Sequence, residues 1–296
     1  MSALPYTIII ATCQRPEPLR RALASIVAQT CPPERVIVVD AQVGLSSEPV
    51  VREFSRVMPV HYVRSEVASA AEQRNQGIDL CDSPYVVFLD DDAVLYPRTL
   101  EQLAAVFREQ GEVVGGVSAR MEGFELPMPG KRLWWYYRLQ AGYSHPTYGG
   151  KLFGPAINTI ACYEGASEAL IPADWLSTCC VMYRTDLVRR ERFPDFSGYS
   201  YMEDVHLSSR IARTHALYWH ALVPFKHEDA SSAFKRSRVA MVRHRLQNQR
   251  RVAQEVMGQS GIIFEAKFLL HRLVTSLAIL RRRGPGWMDE LTGLWT

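Results

Sequence analysis

The chain has 296 residues, 47% of them hydrophobic and 22% charged, with a formal net charge of +3. That balance suits a soluble globular protein of one large domain or two small ones, and its mild charge gives no ground for a nucleic-acid partner. Six cysteines (Cys13, Cys31, Cys81, Cys162, Cys179 and Cys180) include no C-x-x-C pair and stand with no His cluster; this argues against a zinc site or a disulfide framework and makes a reducing cytosol the simplest setting.

The opening "MSALPYTIIIATC" has a short apolar run but no basic segment before it. A lipoprotein leader ending at Cys13 would need Thr12 at its cleavage site, where Thr is a poor residue, so "YTIIIAT" reads as a buried first strand. "PEPLRRALASIVAQT" follows as a helix, with Leu19, Leu23, Ile26 and Val27 on one face and Pro16 and Pro18 in its first turn. "RVIVVD" is a second buried strand, "EPVVREFSRV" a helix and "VHYVRS" a third strand. "ASAAEQRNQGIDLC" is helical, with Gly77 as its weak point, and leads to a fourth strand, "YVVFLD". Strands written as near-continuous apolar runs and alternating with helices predict a parallel sheet covered on both faces, with right-handed crossovers.

Residues 122–172 are irregular and rich in Gly, Pro and aromatics. Trp134, Trp135, Tyr136 and Tyr137 could form a wall or lid over a ligand, or pack a short helix on the sheet; the sequence favours neither. "STCCVM" reads as core packing. From Ser231 the chain is helical. "FKRSRVAMVRHRLQNQRR" is basic without an acid, and "IIFEAKFLLHRLVTSLAILRRRG" is apolar but broken by Glu265, Lys267, His271 and Arg272. A membrane span wants about 18 uninterrupted apolar residues, so none is expected. The first of these helices reads as packed on the core, the second as an amphipathic segment on an anionic membrane surface.

In open α/β sheets ligands sit beyond the carboxyl ends of the strands. Thr12, Asp40 and Asp90 each lie at such an end, and Asp90 is followed directly by Asp91 and Asp92. A lone terminal Asp is most often a helix cap, and for Asp92 the nearby Pro97 keeps that reading open. Three adjacent carboxylates repel one another, which favours a raised pKa or a bound cation. Hard divalent ions take one or two carboxylates together with substrate phosphates.

These residues resemble a known family. "TIIIATCQRPEPLRRALASIVAQT", "VIVVD", "AAEQRNQGI" and "VVFLDDDAVLYP", followed by "DWLSTCCVMYRTDLVRRERFPDFSGYSYMEDVHLSSRI", are similar to family 2 glycosyltransferases of GT-A fold over roughly residues 5 to 230. The resemblance implies an α/β, Rossmann-like, mostly parallel sheet flanked by helices. It implies a catalytic domain over 1–229, with a nucleotide-sugar-binding half (1–95) and an acceptor-side half (96–229), and a C-terminal helical extension over 230–296. It implies an inverting enzyme that uses a nucleotide-diphosphate sugar and a divalent cation, Mn²⁺ or Mg²⁺. By the same resemblance Thr12, Arg15, Asp40, Arg74, Asp90 and Asp91 face the donor, Asp92 and His227 hold the metal, and Asp204 is the base beside Glu203; Trp175, Trp134 and Trp135 are the candidates for an acceptor wall. The acceptor would be a glycan or lipid-linked hydroxyl in cell-surface polysaccharide or glycolipid synthesis, and the chain would work in the cytosol or against the inner face of the cell membrane.

Two departures stand out. The family usually follows the base-reading acid with another acid, Gly and Ser, where this chain has "VVDAQVG"; and it often places a second acid where this chain has His206. The chemistry supports the same residues independently. A diphosphate leaving group must be neutralised, the anomeric carbon passes through an oxocarbenium-like state, and an acceptor hydroxyl must lose a proton to a placed carboxylate. "VFLDDDAV" also matches the opening of haloacid-dehalogenase-type phosphatases, although three strand–helix units precede it and no Gly-Asp-x-x-x-Asp follows. A catalytically inactive nucleotide-sugar binder or membrane-docked scaffold is the non-enzymatic alternative.

Overall fold

The computed structural model describes residues 4–41, 44–125, 127–161, 168–196, 201–228 and 237–296. The first hundred residues fold as their apolar runs require. Strands β1 (Tyr6–Thr12), β2 (Arg35–Ala41), β3 (Val60–Ser65) and β4 (Tyr85–Leu89) alternate with helices α1 (Pro16–Val27), α2 (Glu48–Phe54) and α3 (Ala70–Asp79). The four strands lie in the order β3-β2-β1-β4, all parallel. Alternate side chains enter opposite cores. Ile9, Ile37, Val39, Val86 and Phe88 face one, and Ile8, Ile10, Val36, Val38, Val87 and Leu89 face the other. Each such side chain contributes roughly 1.5–3 kcal/mol when fully buried.

Helix α1 buries Leu19, Ala22, Leu23 and Ile26, whereas Val27 is 48% exposed. Val27 was expected on the apolar face; it sits past the edge of the stripe, one turn beyond Leu23, where the sheet no longer covers it. Gly77 is no mere weak point. A Cβ there would stand 2.5 Å from Ile9 Cγ2, so α3 can lie this close to β1 only with glycine.

The second half is mixed rather than parallel. After β5 (Ala93–Leu95) and α4 (Thr99–Gln110) come β6 (Val114–Met121), α5 (Lys131–Ala141), the short hairpin β7 (Leu152–Phe153) and β8 (Ile157–Asn158), β9 (Leu170–Ala173), β10 (Cys180–Arg184), α6 (Thr185–Glu191), α7 (Glu203–Ile211) and β11 (Ala216–His227). Strand β10 inserts antiparallel between β4 and β6, and β11 runs parallel to β6 while pairing antiparallel with β5 and β9. The insertion of β10 puts the end of β4 beside the start of β10. The β5–β11 pairing carries the end of β11 to the same place.

Helices α8 (Arg238–Glu255), α9 (Gly261–Arg282) and α10 (Trp287–Trp295) complete the chain. Val252 and Ala253 of α8 and Phe264 and Phe268 of α9 join one of the two main cores, so this extension is continuous with the sheet's packing. The aromatic run of the insert forms α5, whose Trp134, Tyr136 and Tyr137 pack in a satellite cluster with Tyr148, Phe153 and Ile157 and which is hydrogen-bonded to α9. Tyr136 Oη lies 2.8 Å from His271 Nδ1, and Gln140 Nε2 donates to the Lys267 carbonyl at 3.0 Å. Among the described residues no helix is long and apolar enough to cross a membrane.

Candidate active site

The three carboxylates after β4 are largely withdrawn from solvent and are met by cations from distant parts of the chain. Asp90 Oδ1 accepts from Arg74 Nη2 at 3.0 Å, while its Oδ2 lies 3.7 Å from His227 Nε2. Asp92 Oδ2 pairs with Arg15 Nη2 at 2.5 Å, and its Oδ1 lies 3.2 Å from His227 Nε2. Each of these two aspartates thus has one oxygen on an arginine and the other turned toward His227. Asp91 Oδ2 accepts from Thr12 Oγ1 at 2.6 Å and its Oδ1 from Arg15 Nη1 at 2.7 Å, which ties the end of β1 to the end of β4.

Burial raises the carboxyls of Asp90 and Asp91, and their partners decide the outcome. For Asp90, His227 and Arg74 outweigh burial and hold the carboxyl well below the usual range. For Asp91, burial wins over Arg15 and Thr12, with Asp92 and Asp90 adding repulsion, and the pKa rises to about 7. Asp92 caps no helix: α4 begins at Thr99, with Arg98 before it.

Helix α3 supplies Arg74 and the residues that hold it. Gln73 Nε2 donates to the carbonyls of Thr12 (2.8 Å) and Val39 (2.7 Å), pinning the ends of β1 and β2. Asn75 exchanges two 3.0 Å hydrogen bonds with the backbone of Phe193, whose ring lies 5.5 Å under the Arg74 guanidinium. So held, Arg74 bridges Asp90 to Glu203 Oε1 at 3.3 Å.

Glu203 and Asp204 open α7. The helix N-terminus favours their charge, and Asp204 Oδ1 accepts from the Val205 N–H at 2.8 Å. Burial raises both carboxyls, more than Arg74 lowers them; Glu203 raises Asp204 further, and Asp90 raises both. Met202, just before the helix, has φ +69°, a left-handed conformation that costs a non-glycine residue roughly 1–3 kcal/mol. His206, standing where the family often has an acid, is buried by α8: its Nε2 lies 3.2 Å from Glu255, and its pKa falls to about 4 through burial.

Asp204 lines a cavity of about 320 Å³ with Trp175, Trp219, Tyr201, Phe124 and Arg245. Trp175 Nε1 donates to the Thr159 carbonyl and Trp219 Nε1 to the Trp175 carbonyl, both at 3.0 Å, so the indoles are fixed in place. Trp134 and Trp135 do not line this cavity. Trp134 Nε1 donates to the His145 carbonyl, and Trp135 is 61% exposed on α5. Asp40 is completely buried at the end of β2, its Oδ2 accepting from the Ser47 N–H (2.8 Å) and Tyr62 Oη (3.0 Å). Its Oδ1 has no hydrogen-bond partner among the described residues.

Trp219, Tyr201, Arg245, Gln73 and Asn75 were not singled out from the sequence. Arg245 comes from α8, so the C-terminal extension reaches the cavity. Cys179, expected in the core, also lines it, whereas its neighbour Cys180 is fully buried. Burial and Asp90 push the Cys179 thiol well above its ordinary range.

The donor set suits a divalent cation. The oxygens of Asp90 and Asp92 that face His227 are the ones the arginines leave to it, and Asp90, Cys179 and His227 offer ligand atoms all within 4.8 Å of one another.

Known proteins share this arrangement of strands. The mannosyltransferase PcManGT of Pyrobaculum calidifontis, solved with GDP-Man and Mn²⁺, superposes with a TM-score of 0.59 at 18% identity, over 90% of this chain and 70% of its own. Staphylococcus aureus TarS 1–349, solved with UDP-GlcNAc, gives 0.63 at 15% identity, over 90% and 71%. At these identities the likeness is one of fold. In sequence, an uncharacterized glycosyltransferase of Haemophilus influenzae is 32% identical over 108 residues, 36% of each chain. The poly(ribitol-phosphate) beta-N-acetylglucosaminyltransferase TarP of Staphylococcus aureus is 24% identical over 127 residues, 41% of this chain and 39% of its own. The matches therefore span about two fifths or less of these relatives. The family model for glycosyl transferase family 2 matches residues 7–165, from β1 through the Asp90–Asp92 cluster and into the insert. Covering more than half of the chain, that match shows that the protein belongs to glycosyl transferase family 2.

Proposed function

We propose that the chain transfers a sugar, with inversion, from a nucleotide-diphosphate donor held with a divalent cation at the end of β4 to an acceptor hydroxyl in the aromatic cavity. The observation that carries this reading is the Arg74 bridge. One guanidinium touches both Asp90, on the donor side, and Glu203, next to Asp204 on the cavity side. Donor and acceptor chemistry are thereby set at a fixed separation, and orientation of this kind contributes much of an enzyme's rate.

Asp92 and His227, with Asp90, would hold the cation. When bound, the cation neutralises charge developing on a departing diphosphate. The chain's own residues do the rest. Arg15 and Arg74 offer further positive charge to phosphate oxygens, and Asp40 Oδ1, which has no hydrogen-bond partner among the described residues, is an acceptor for a base N–H. Asp204 takes the acceptor's proton; its raised pKa makes it a stronger base than an ordinary aspartate. Trp175 and Trp219 present flat apolar faces that suit a sugar ring. Family membership and three preceding strand–helix units leave the phosphatase reading without support.

A panel of nucleotide sugars with Mn²⁺ tests this. Release of a nucleoside diphosphate from one donor is expected, and Asp92→Ala should abolish it while the protein stays folded. A matching diphosphate at 100 times its dissociation constant should stabilise the wild type by about 2.7 kcal/mol. Phosphate released from sugar phosphates, or binding without turnover of any donor, would contradict the proposal.

For the partner surface we propose an anionic membrane, met by the outer face of α9. Ile262 (86% exposed), Leu269, Leu273, Leu277 and Leu280 form an exposed apolar stripe that runs toward Arg281, Arg282 and Arg283. Apolar insertion with flanking basic residues, each worth about 1 kcal/mol near anionic lipid, suits a surface-lying helix. An acceptor presented at that surface would be lipid-linked or a growing glycan.

A further inference from the structure

We infer that Cys179 is a ligand of the cation site, making it a mixed carboxylate–imidazole–thiolate centre that prefers divalent ions softer than Mg²⁺, such as Mn²⁺, Co²⁺ or, most strongly, Cd²⁺. The inference rests on the metal-dependent reading above and adds the ligand that decides which metal is taken.

Three separate strands fix the three ligand atoms. Cys180 pairs with Leu89 across β10 and β4, and the Asp90 N–H donates to the Cys179 carbonyl at 3.1 Å, so residues 90 and 179 are locked side by side. His227 pairs with Ala93 across β11 and β5, and the Glu228 N–H donates to the Asp92 carbonyl at 3.0 Å, which brings the imidazole to the same point. The side-chain ligand atoms of Asp90, Cys179 and His227 consequently lie within 4.8 Å of one another. Asp92 Oδ1, 3.2 Å from His227 Nε2, offers a fourth. Cys180 is fully buried in the core, whereas Cys179 packs at the edge of that same core and lines the cavity, so the two cysteines of "STCCVM" have different surroundings.

Ser177 Oγ donates to Cys179 Sγ at 3.2 Å, a hydrogen bond that a metal-bound thiolate would keep. On binding, the S–H bond breaks, its proton passes to solvent and a sulfur–metal bond forms, with no change of oxidation state. An all-oxygen site would suit Mg²⁺; a thiolate and an imidazole shift preference along the divalent series toward softer ions.

The test titrates the full-length, metal-free protein with Cd²⁺, Co²⁺, Mn²⁺ and Mg²⁺, alone and with UDP or GDP. The wild type should show a thiolate-to-metal charge-transfer band that saturates at one Cd²⁺ per chain. Cys179→Ser should lose the band and at least about tenfold in Mn²⁺ affinity, with Mg²⁺ affinity little changed; Cys31→Ser should keep both. Cd²⁺ binding by calorimetry without the band, or the same band and Mn²⁺ affinity in Cys179→Ser, overturns the proposal and leaves metal-dependent transfer standing. No cation binding under any condition overturns both. Should Cys179→Ser fail to fold, alkylation of the wild type decides. Protection of Cys179 but not Cys31 by Cd²⁺ supports the ligand role, and equal labelling with and without Cd²⁺ refutes it.

Discussion

The end of β4 and the outer face of α9 treat exposed chemistry in opposite ways. Asp90, Asp91 and Asp92 are met by Arg74, Arg15, Thr12 and His227, residues up to more than a hundred positions away in sequence. Along α9, Ile262, Ile263 and Leu277 stand 86%, 71% and 55% exposed, although Phe264 and Phe268 on the same helix are buried. Buried charge without a partner is so costly that the chain supplies one, which leaves the first region preorganised for a charged ligand. An exposed apolar stripe costs the isolated chain little, and its use lies with whatever surface covers it.

The largest expected effect breaks the first region's chemistry without breaking its fold. Asp204→Asn keeps the shape but cannot accept a proton, so transfer should fall by about two to four orders of magnitude while diphosphate affinity, measured by calorimetry, is unchanged. Near-normal turnover would move the proton to Glu203. Arg74→Met then probes the bridge itself. It leaves Asp90 and Glu203 without their shared partner, and denaturant unfolding should show a loss of about 3–5 kcal/mol.

On α9 the two faces should separate cleanly. Phe268→Ala is expected to cost about 3–5 kcal/mol as a core cavity. Leu273→Ser should change stability by less than about 0.5 kcal/mol yet weaken co-sedimentation with anionic vesicles, and high salt should weaken wild-type binding too. Equal vesicle binding by Leu273→Ser and wild type would remove the membrane from the account.

A subtler effect concerns pH. Burial and Glu203 raise the Asp204 pKa, so the folded enzyme holds that proton more tightly than an ordinary aspartate would. The base form is lost as pH falls through the raised value. The acid limb of the kcat/KM profile should therefore lie at higher pH than a free aspartate would give.

Much of the first hundred residues was legible because each of their strands is a buried apolar run, and three adjacent carboxylates directly after such a run are harder to explain as caps than a lone one. The Glu-Asp pair, at a helix start where capping is the common role, could be marked only through the family resemblance. Cys179 could not. A small-residue run reads as core, which holds for Cys180, and only the register of β10 against β4 shows that its neighbour turns to the site. Trp219 and Arg245 enter the cavity through β11 and α8, contacts between segments far apart in sequence that no local pattern carries. The three-residue β5 is too short to announce itself, yet its pairing with β11 is what delivers His227. Trp134 and Trp135 show the converse: a conspicuous aromatic run whose helix packs in a satellite cluster rather than at the cavity.

The most direct test of the central claim is the anomeric configuration of the sugar released when the wild type slowly hydrolyses its donor in Mn²⁺, followed by NMR before mutarotation. Attack assisted by Asp204 on the face opposite the diphosphate predicts the inverted anomer first, and loss of that signal in Asp204→Asn. First appearance of the retained anomer, or an unchanged rate in Asp204→Asn, would contradict the account.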